Sequence, residues 1–192
     1  MPISKTDFIR GLQCEKMLWL DAHAPEHKII PPEVQAKLDA GNEFGDTAMG
    51  IFGEYTEMTT LREDGRLHFS AMIEKTKECI SAGVETICEA VFSYDGLYCA
   101  VDILRWEKGG YAIYEVKSAT HEAEIYGIDI AYQKYVLEHC GITVTGTYLV
   151  CINSDYVRGE ELDIQHLFKI IDMTDWVELE SPLVSMKIHH AE

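Results

Sequence analysis

"VDILRWEKGGYAIYEVKSAT", residues 101–120, reads as two apolar strands joined at a Gly-Gly, each interrupted by charge. The first strand carries Asp102. The second carries Glu115 and Lys117, two positions apart and therefore on one face. A buried carboxylate is costly unless a partner meets it, so the reading turns on what these charges face. A second hairpin lies just upstream, where "ETICEAVF" (85–92) and "LYCAVDILRW" (97–106) flank "SYDG". An Asp-Gly between alternating runs favours a two-residue type I′ connection. With Asp95-Gly96 as that connection, Tyr94 faces Leu97 and Glu89 falls opposite Asp102. With Lys108-Gly109 as the next, Glu107 faces Gly110 and Asp102 falls opposite Glu115. Two turns read independently thus set Glu89, Asp102 and Glu115 in one row across three antiparallel strands. Opposed Cβ atoms in such a row are about 4.5–5.5 Å apart, and Lys117 is within diagonal reach of Asp102.

Working outward, residues 4–20 open with Ser4 and Asp7 in capping-box spacing and continue as a helix through Phe8, Leu12, Leu18 and Trp19. Pro31-Pro32 ends a polar connector, and 33–50 reads as a second helix weakened by Gly41 and Gly45. Residues 68–82 form a third, with Met72, Ile73, Cys79 and Ile80 inward. After the three strands, 122–140 is helical, 143–152 is a strand and "HLFKIIDMT" is another. The expectation is an α/β fold with a central mixed β-sheet flanked by helices. One domain is expected over 1–192, with an N-terminal helical part, 1–83, and a sheet core, 84–175.

The chain of 192 residues is 47% hydrophobic and long enough for a sizeable core. Its six cysteines include no C-x-x-C pair, and several sit in apolar runs as reduced thiols do. With no signal peptide and no apolar run of spanning length, a cytoplasmic protein without a membrane partner is expected. The net charge of −17 runs against a general nucleic-acid grip, which calls for a basic footprint. Any polyanion contact must be local or supplied by a divalent cation.

Three carboxylates in a row are not a stability device. Two unit charges about 5 Å apart repel by roughly 3 kcal/mol at an effective dielectric near 20. Either a proton is taken up or a cation sits between them. Oxygen-only ligands suit a hard ion such as Mg²⁺, and such an ion activates water and polarises phosphoryl oxygens. Glu-x-Lys alone reads as a solvated face with a cross-strand ion pair. Joined by Asp102 and Glu89 it reads as a metal site.

Asp102, then about a dozen residues, then Glu115-Val116-Lys117, then a helix carrying Gln133 in "DIAYQKYVLE", resembles the PD-(D/E)xK nuclease superfamily. The likeness is to its RecB-like branch, which includes CRISPR-associated RecB-type exonucleases and related uncharacterised proteins. The opening "ISKTDFIRGLQCEKMLWL" also resembles the N-terminal stretch of one uncharacterised group in that branch, so the likeness spans residue 3 to about 175. The resemblance implies a restriction-endonuclease-like core. It implies Asp102 and Glu115 as ligands of Mg²⁺ or Mn²⁺, the Val116 carbonyl as a further ligand, and Glu89 at an acidic position many members carry. Lys117 would be the catalytic lysine and Gln133 the residue that braces the site or contacts substrate. The usual Gln-x-x-x-Tyr spacing is not kept, since Tyr135 follows Gln133 by two residues and Tyr132 precedes it. Where relatives carry a histidine on an early helix, "AGNEFGDTA" offers Glu43 or Asp46. Cys14 matches the first cysteine of an iron–sulfur cluster found in some relatives, but nothing after Cys151 supplies the others, and no cluster is expected.

Other residues receive plainer readings. His121 is expected as an exposed residue at a helix start, and Asp129, one helical turn before Gln133, as a solvated acid. Lys5, Arg10 and Lys16 with Trp19 form either a basic, aromatic groove for a single strand or, the plainer case, a surface helix with Trp19 inward. His189-His190 belong to a frayed end. The functional expectation is a divalent-metal-dependent nuclease hydrolysing DNA phosphodiesters, as an exonuclease on single strands or duplex ends. The alternative is a catalytically inactive nuclease-fold module acting in protein interaction or assembly within a DNA repair or defence complex. A homo-oligomer or a larger DNA-processing complex accommodates either.

Overall fold

Two tight turns set the register of the sheet. Asp95 and Gly96 have φ of 45° and 77°, and Lys108 and Gly109 have φ of 54° and 83°, the left-handed pair a type I′ hairpin requires. Tyr94 pairs with Leu97 and Glu107 with Gly110, as the sequence predicts. The structure, a computed structural model, describes residues 3–191, with side chains described through residue 188.

The strands are β1 (Ile3–Ser4), β2 (Thr56–Glu57), β3 (Thr86–Tyr94), β4 (Leu97–Glu107), β5 (Gly110–Val116), β6 (Val144–Ile152) and β7 (Phe168–Asp172). They form one mixed seven-stranded sheet in the order β2-β3-β4-β5-β6-β7, with β1 paired to β4. The helices are α1 (Lys5–Gln13), α2 (Glu15–His23), α3 (Pro32–Ala48), α4 (Phe69–Ser81), α5 (Glu124–His139), α6 (Ile164–Leu167) and α7 (Thr174–Ala191). The protein is therefore α/β, its sheet flanked by helices. Alternation along β5 separates two cores. Tyr111 and Ile113 pack with residues of α1, α4, α5 and α7, whereas Ala112 and Tyr114 pack with residues of α3, the 3₁₀ turn after it and α6. Strands β5 and β6 are parallel, and α5 is the crossover between them.

Several expectations are corrected. The helix read over 4–20 is two helices, because the extended Cys14 (φ −164°, ψ 108°) breaks it. The capping box of Ser4 and Asp7 stands. Residues 166–174 do not form one strand: a short helix ends at Leu167 and β7 follows. The N-terminal part is not purely helical, since β1 and β2 join the sheet. At two residues each, they are too short to show a period of two. Helix α7 was not anticipated; it buries Val177, Val184 and Ile188 in the core despite Pro182 within it. The side chains of His189 and His190 lie outside the described residues. Among the described residues no helix is long and apolar enough to cross a membrane.

Because Gly109 has φ of +83°, a side chain there meets the left-handed penalty of about 1–2 kcal/mol. Gly109→Ala is expected to lower the unfolding free energy by roughly that amount in urea titration. Gly159→Ala, at an open position with no positive φ, is expected to change it by less than about 0.5 kcal/mol.

Candidate active site

Strands β4 and β5 part where the charges lie. Their paired register ends at Ile103–Tyr114, and the freed edge of β4 is taken by β1, with Ser4 beside Tyr98. Asp102 sits at this fork, and its Oδ2 accepts a 2.7 Å hydrogen bond from the Val116 N–H. On the other side, β3 and β4 pair at Cys88–Ile103 and Ala90–Val101, but not at the row between them. Glu89 occupies that row with φ of 55°, a conformation uncommon for a residue with a side chain. Leu97, Cys99 and Val101 share a core cluster with Leu104, so the alternation of β4 skips a step at Asp102. The predicted row of three acids is thus brought to one cavity, but the sheet gives up regular pairing there.

The N-terminus supplies a residue that the sequence reading placed elsewhere. Ile3 N–H donates to the Gly96 carbonyl at 2.8 Å. The hydroxyl of the buried Tyr132 donates to the Ile3 carbonyl at 2.7 Å, and Phe8 stacks on the Tyr132 ring at 4.9 Å. Lys5, first residue of α1, is thereby aimed into the fork. Its Nζ lies 2.9 and 3.0 Å from the two oxygens of Glu115. It is 3.9 Å from Asp102 Oδ1 and 3.9 Å from Asp129 Oδ1.

Glu115 is only 1% exposed. Lys117 Nζ donates to its Oε1 at 2.6 Å and to Asp129 Oδ2 at 2.8 Å. Gln133 Nε2 donates to Glu115 Oε2 at 2.7 Å and to Asp129 Oδ1 at 3.2 Å. A carboxylate offers about four lone-pair positions. Those of Glu115 are filled by Lys5 twice, Lys117 and Gln133. By contrast, no described group donates a hydrogen bond to Asp102 Oδ1 or to the Glu89 carboxyl.

These surroundings divide the acids into two kinds. Burial works against ionisation of Glu115, but the Lys117 and Lys5 ammonium groups prevail and hold it well below the usual carboxylate range. Burial and the neighbouring Glu115 push Asp102 up to about 6. Burial and Asp102 push Glu89 up to about 7. Lys117 is opposed by burial, yet Glu115 and Asp129 raise it above its ordinary value. Lys5 behaves likewise, with Glu115 the foremost of its acids.

A cavity of about 630 Å³ opens over this cluster and is lined in part by Glu57, Glu89, Asp102, Val116 and Lys117. Gly41, Asn42, Gly45, Asp46 and Met49 line its α3 side, a helical stripe in which the glycines that weaken the helix leave room. Of the two acids weighed there, Asp46 reaches the cavity and Glu43 does not. Among the described residues no three His, Cys, Asp or Glu side chains are gathered closely enough to hold an ion as they stand.

Two further readings are corrected. Asp129 is not a solvated acid but only 7% exposed, because the sheet, α1 and α7 cover α5 there. The groove of Lys5, Arg10, Lys16 and Trp19 is not assembled: Lys5 turns inward, Arg10 pairs with Asp21, Lys16 is exposed and Trp19 is not inward but 57% exposed, stacked on His23. His121 is exposed and bonded to Thr120. The missed members, Lys5 and Asp129, left one signal each: the "S-K" at a capping box, and an acid within an otherwise apolar helix.

The raised carboxyls fix a pH dependence. A carboxyl whose folded pKa exceeds its unfolded value binds more protons folded than unfolded between the two, so stability falls as pH rises through that window. In chelator, Glu89→Gln is expected to exceed the wild type by roughly 1–3 kcal/mol above about pH 8. The gap should close by about pH 4, where both side chains are neutral. Urea titrations across pH check this, and a constant gap refutes it.

No protein-family model matches this chain, and comparison with curated proteins returns no significant match.

Proposed function

We propose that this protein is a divalent-metal-dependent nuclease that hydrolyses DNA phosphodiesters, with a restriction-endonuclease-like core of the RecB-like kind. The observation that carries the reading is the meeting of Asp102, buried Glu115 and Lys117 at one cavity. In this reading Glu89, Asp102, Glu115 and the Val116 carbonyl would hold Mg²⁺ or Mn²⁺. When bound, such an ion polarises a phosphoryl oxygen and lowers the pKa of a water. The donor chemistry fits: all are oxygens, and Glu89 and Asp102 Oδ1 lack donors in a setting that burial and mutual repulsion make hungry for positive charge.

The chain's own residues then divide the work. Lys117 is kept ionised by Glu115 and Asp129, so it has only donors to offer. It orients the attacking water and neutralises phosphate charge rather than taking a proton. Gln133 and Asp129 fix the positions of Glu115 and Lys117. The water oxygen adds to phosphorus and gives its proton to solvent, the bond to the leaving oxygen breaks, and that oxygen takes up a proton from solvent. A cavity of this volume is of ligand-pocket size and accommodates a strand end, in keeping with an exonuclease.

A second reading has its own observation. Glu115 is fully supplied with donors, as in a structural ion-pair network, and Ile29, Ile30, Val34 and Leu38 are exposed apolar residues on or near α3. These favour an inactive module that assembles with itself or within a larger DNA-processing complex.

Labelled single- and double-stranded DNA, incubated with Mn²⁺ or chelator, separates the two. Cleavage is expected with Mn²⁺ alone, and Asp102→Ala and Lys117→Ala are expected to lower its rate by at least about 100-fold. Cleavage in chelator, or undiminished cleavage by both variants, defeats the nuclease reading. Inactivity of a protein that forms a stable oligomer supports the assembly module.

A further inference from the structure

The position between the acids is held by an ammonium group of the chain itself. Lys5 Nζ straddles both oxygens of Glu115 and lies 3.9 Å from Asp102, where a cation shared by those two residues would stand. The backbone of Lys5 is pinned by the Ser4 capping box, by β1 and by Tyr132. Its side chain lines the cavity.

The two lysines are held differently. Lys117 donates to two carboxylates, Glu115 and Asp129, at 2.6 and 2.8 Å. The side-chain hydrogen bonds of Lys5 all go to Glu115, while its approaches to Asp102 and Asp129 are 3.9 Å ion pairs. Moving Lys117 away would break hydrogen bonds to two carboxylates, whereas moving Lys5 away would break them to one. Formal charge agrees: Glu89, Asp102, Glu115 and Asp129 against Lys5 and Lys117 leave the cluster two negative charges in excess, which one divalent ion balances with both lysines still in the cavity.

Resting on the metal reading above, we propose that Lys5 is a displaceable resident cation. It occupies Glu115 in the metal-free protein, competes with the divalent ion for that carboxylate, and swings into the cavity when the ion binds. The N-terminal helix thereby sets the affinity of the site for its ion, at a place where the sheet alone leaves an uncompensated acid.

Calorimetric titration of Mn²⁺ at fixed ionic strength into the full chain tests this without any activity readout. Lys5→Met is expected to bind at least tenfold more tightly than the wild type. Lys117→Met removes the same charge at a similar distance from Glu115 and gauges the purely electrostatic gain, which is expected to be smaller. Lys5→Arg keeps the charge and grips a carboxylate with a two-pronged fork, so it is expected to bind no more tightly than the wild type. Circular dichroism confirms folding, and Lys5→Gln replaces Lys5→Met if that variant does not fold. Equal affinity in wild type and Lys5→Met, or a gain no greater than that of Lys117→Met, overturns the role of Lys5 and leaves the metal site standing. No Mn²⁺ binding to any of the four proteins overturns both.

Discussion

A carboxylate buried at the end of a central strand is the constraint from which the rest of the site follows. Glu115 leaves the water behind almost completely. An ionised carboxylate so placed costs several kcal/mol unless positive charge and donors meet it. Three separate segments supply them: Lys5 at the start of α1, Lys117 just beyond β5, and Gln133 on α5. The N-terminal helices are therefore not an appendage packed beside a finished sheet. Their first residue helps to satisfy a charge that the sheet core cannot compensate alone.

The sheet accommodates this by becoming irregular where the acids are. A regular antiparallel trio would pair Glu89, Asp102 and Glu115 through backbone ladders on both sides of β4. Instead the ladder to β5 stops one residue short, and the Asp102 side chain takes the N–H of Val116. The β3 side keeps its register but loses the pairing of that one row, and Glu89 adopts a left-handed backbone. Such conformations cost on the order of 1–3 kcal/mol each and persist where the surroundings impose them. Here the surroundings are two well-formed turns and a register fixed on either side. The irregularity is local, and it opens the fork that β1 fills.

What the sequence disclosed was whatever local chemistry determines. Asp95-Gly96 and Lys108-Gly109 announce their turns, and the turns dictate which residues oppose one another tens of ångströms of chain away. That logic located Glu89, Asp102 and Glu115 together, whereas Gln133 came from the family resemblance alone and not from any local rule. Lys5 stayed hidden because its partner is 110 positions distant, and a lysine in the first turn of an amphipathic helix ordinarily faces water. The capping box told where α1 begins but not where its first side chain points; that depends on Tyr132 and Gly96 holding β1. Asp129 was misread for the opposite reason. Its neighbours Ile128, Ile130, Ala131 and Tyr132 are all buried, and α5, covered there by the sheet, α1 and α7, leaves the acid no solvated side to occupy. Trp19 erred the other way, because the break at Cys14 frees α2 from the periodicity of α1.

The acidic balance of the chain bears directly on how the proposed site meets its substrate. The cavity that holds Lys5 and Lys117 also holds Asp46, Glu57, Glu89, Asp102 and Glu115, so without an added cation its acids outnumber its bases. A phosphodiester entering it is repelled at close range, where the roughly 8 Å screening length of physiological salt gives little relief. In the proposed reading a divalent ion would cancel two of those three excess charges and, by moving Lys5 off Glu115, would turn an ammonium group toward the cavity as well. Substrate affinity would then follow ion occupancy rather than a standing basic groove. A net charge of −17, which argues against a protein that grips nucleic acid at all times, is compatible with one that does so only when its metal is in place.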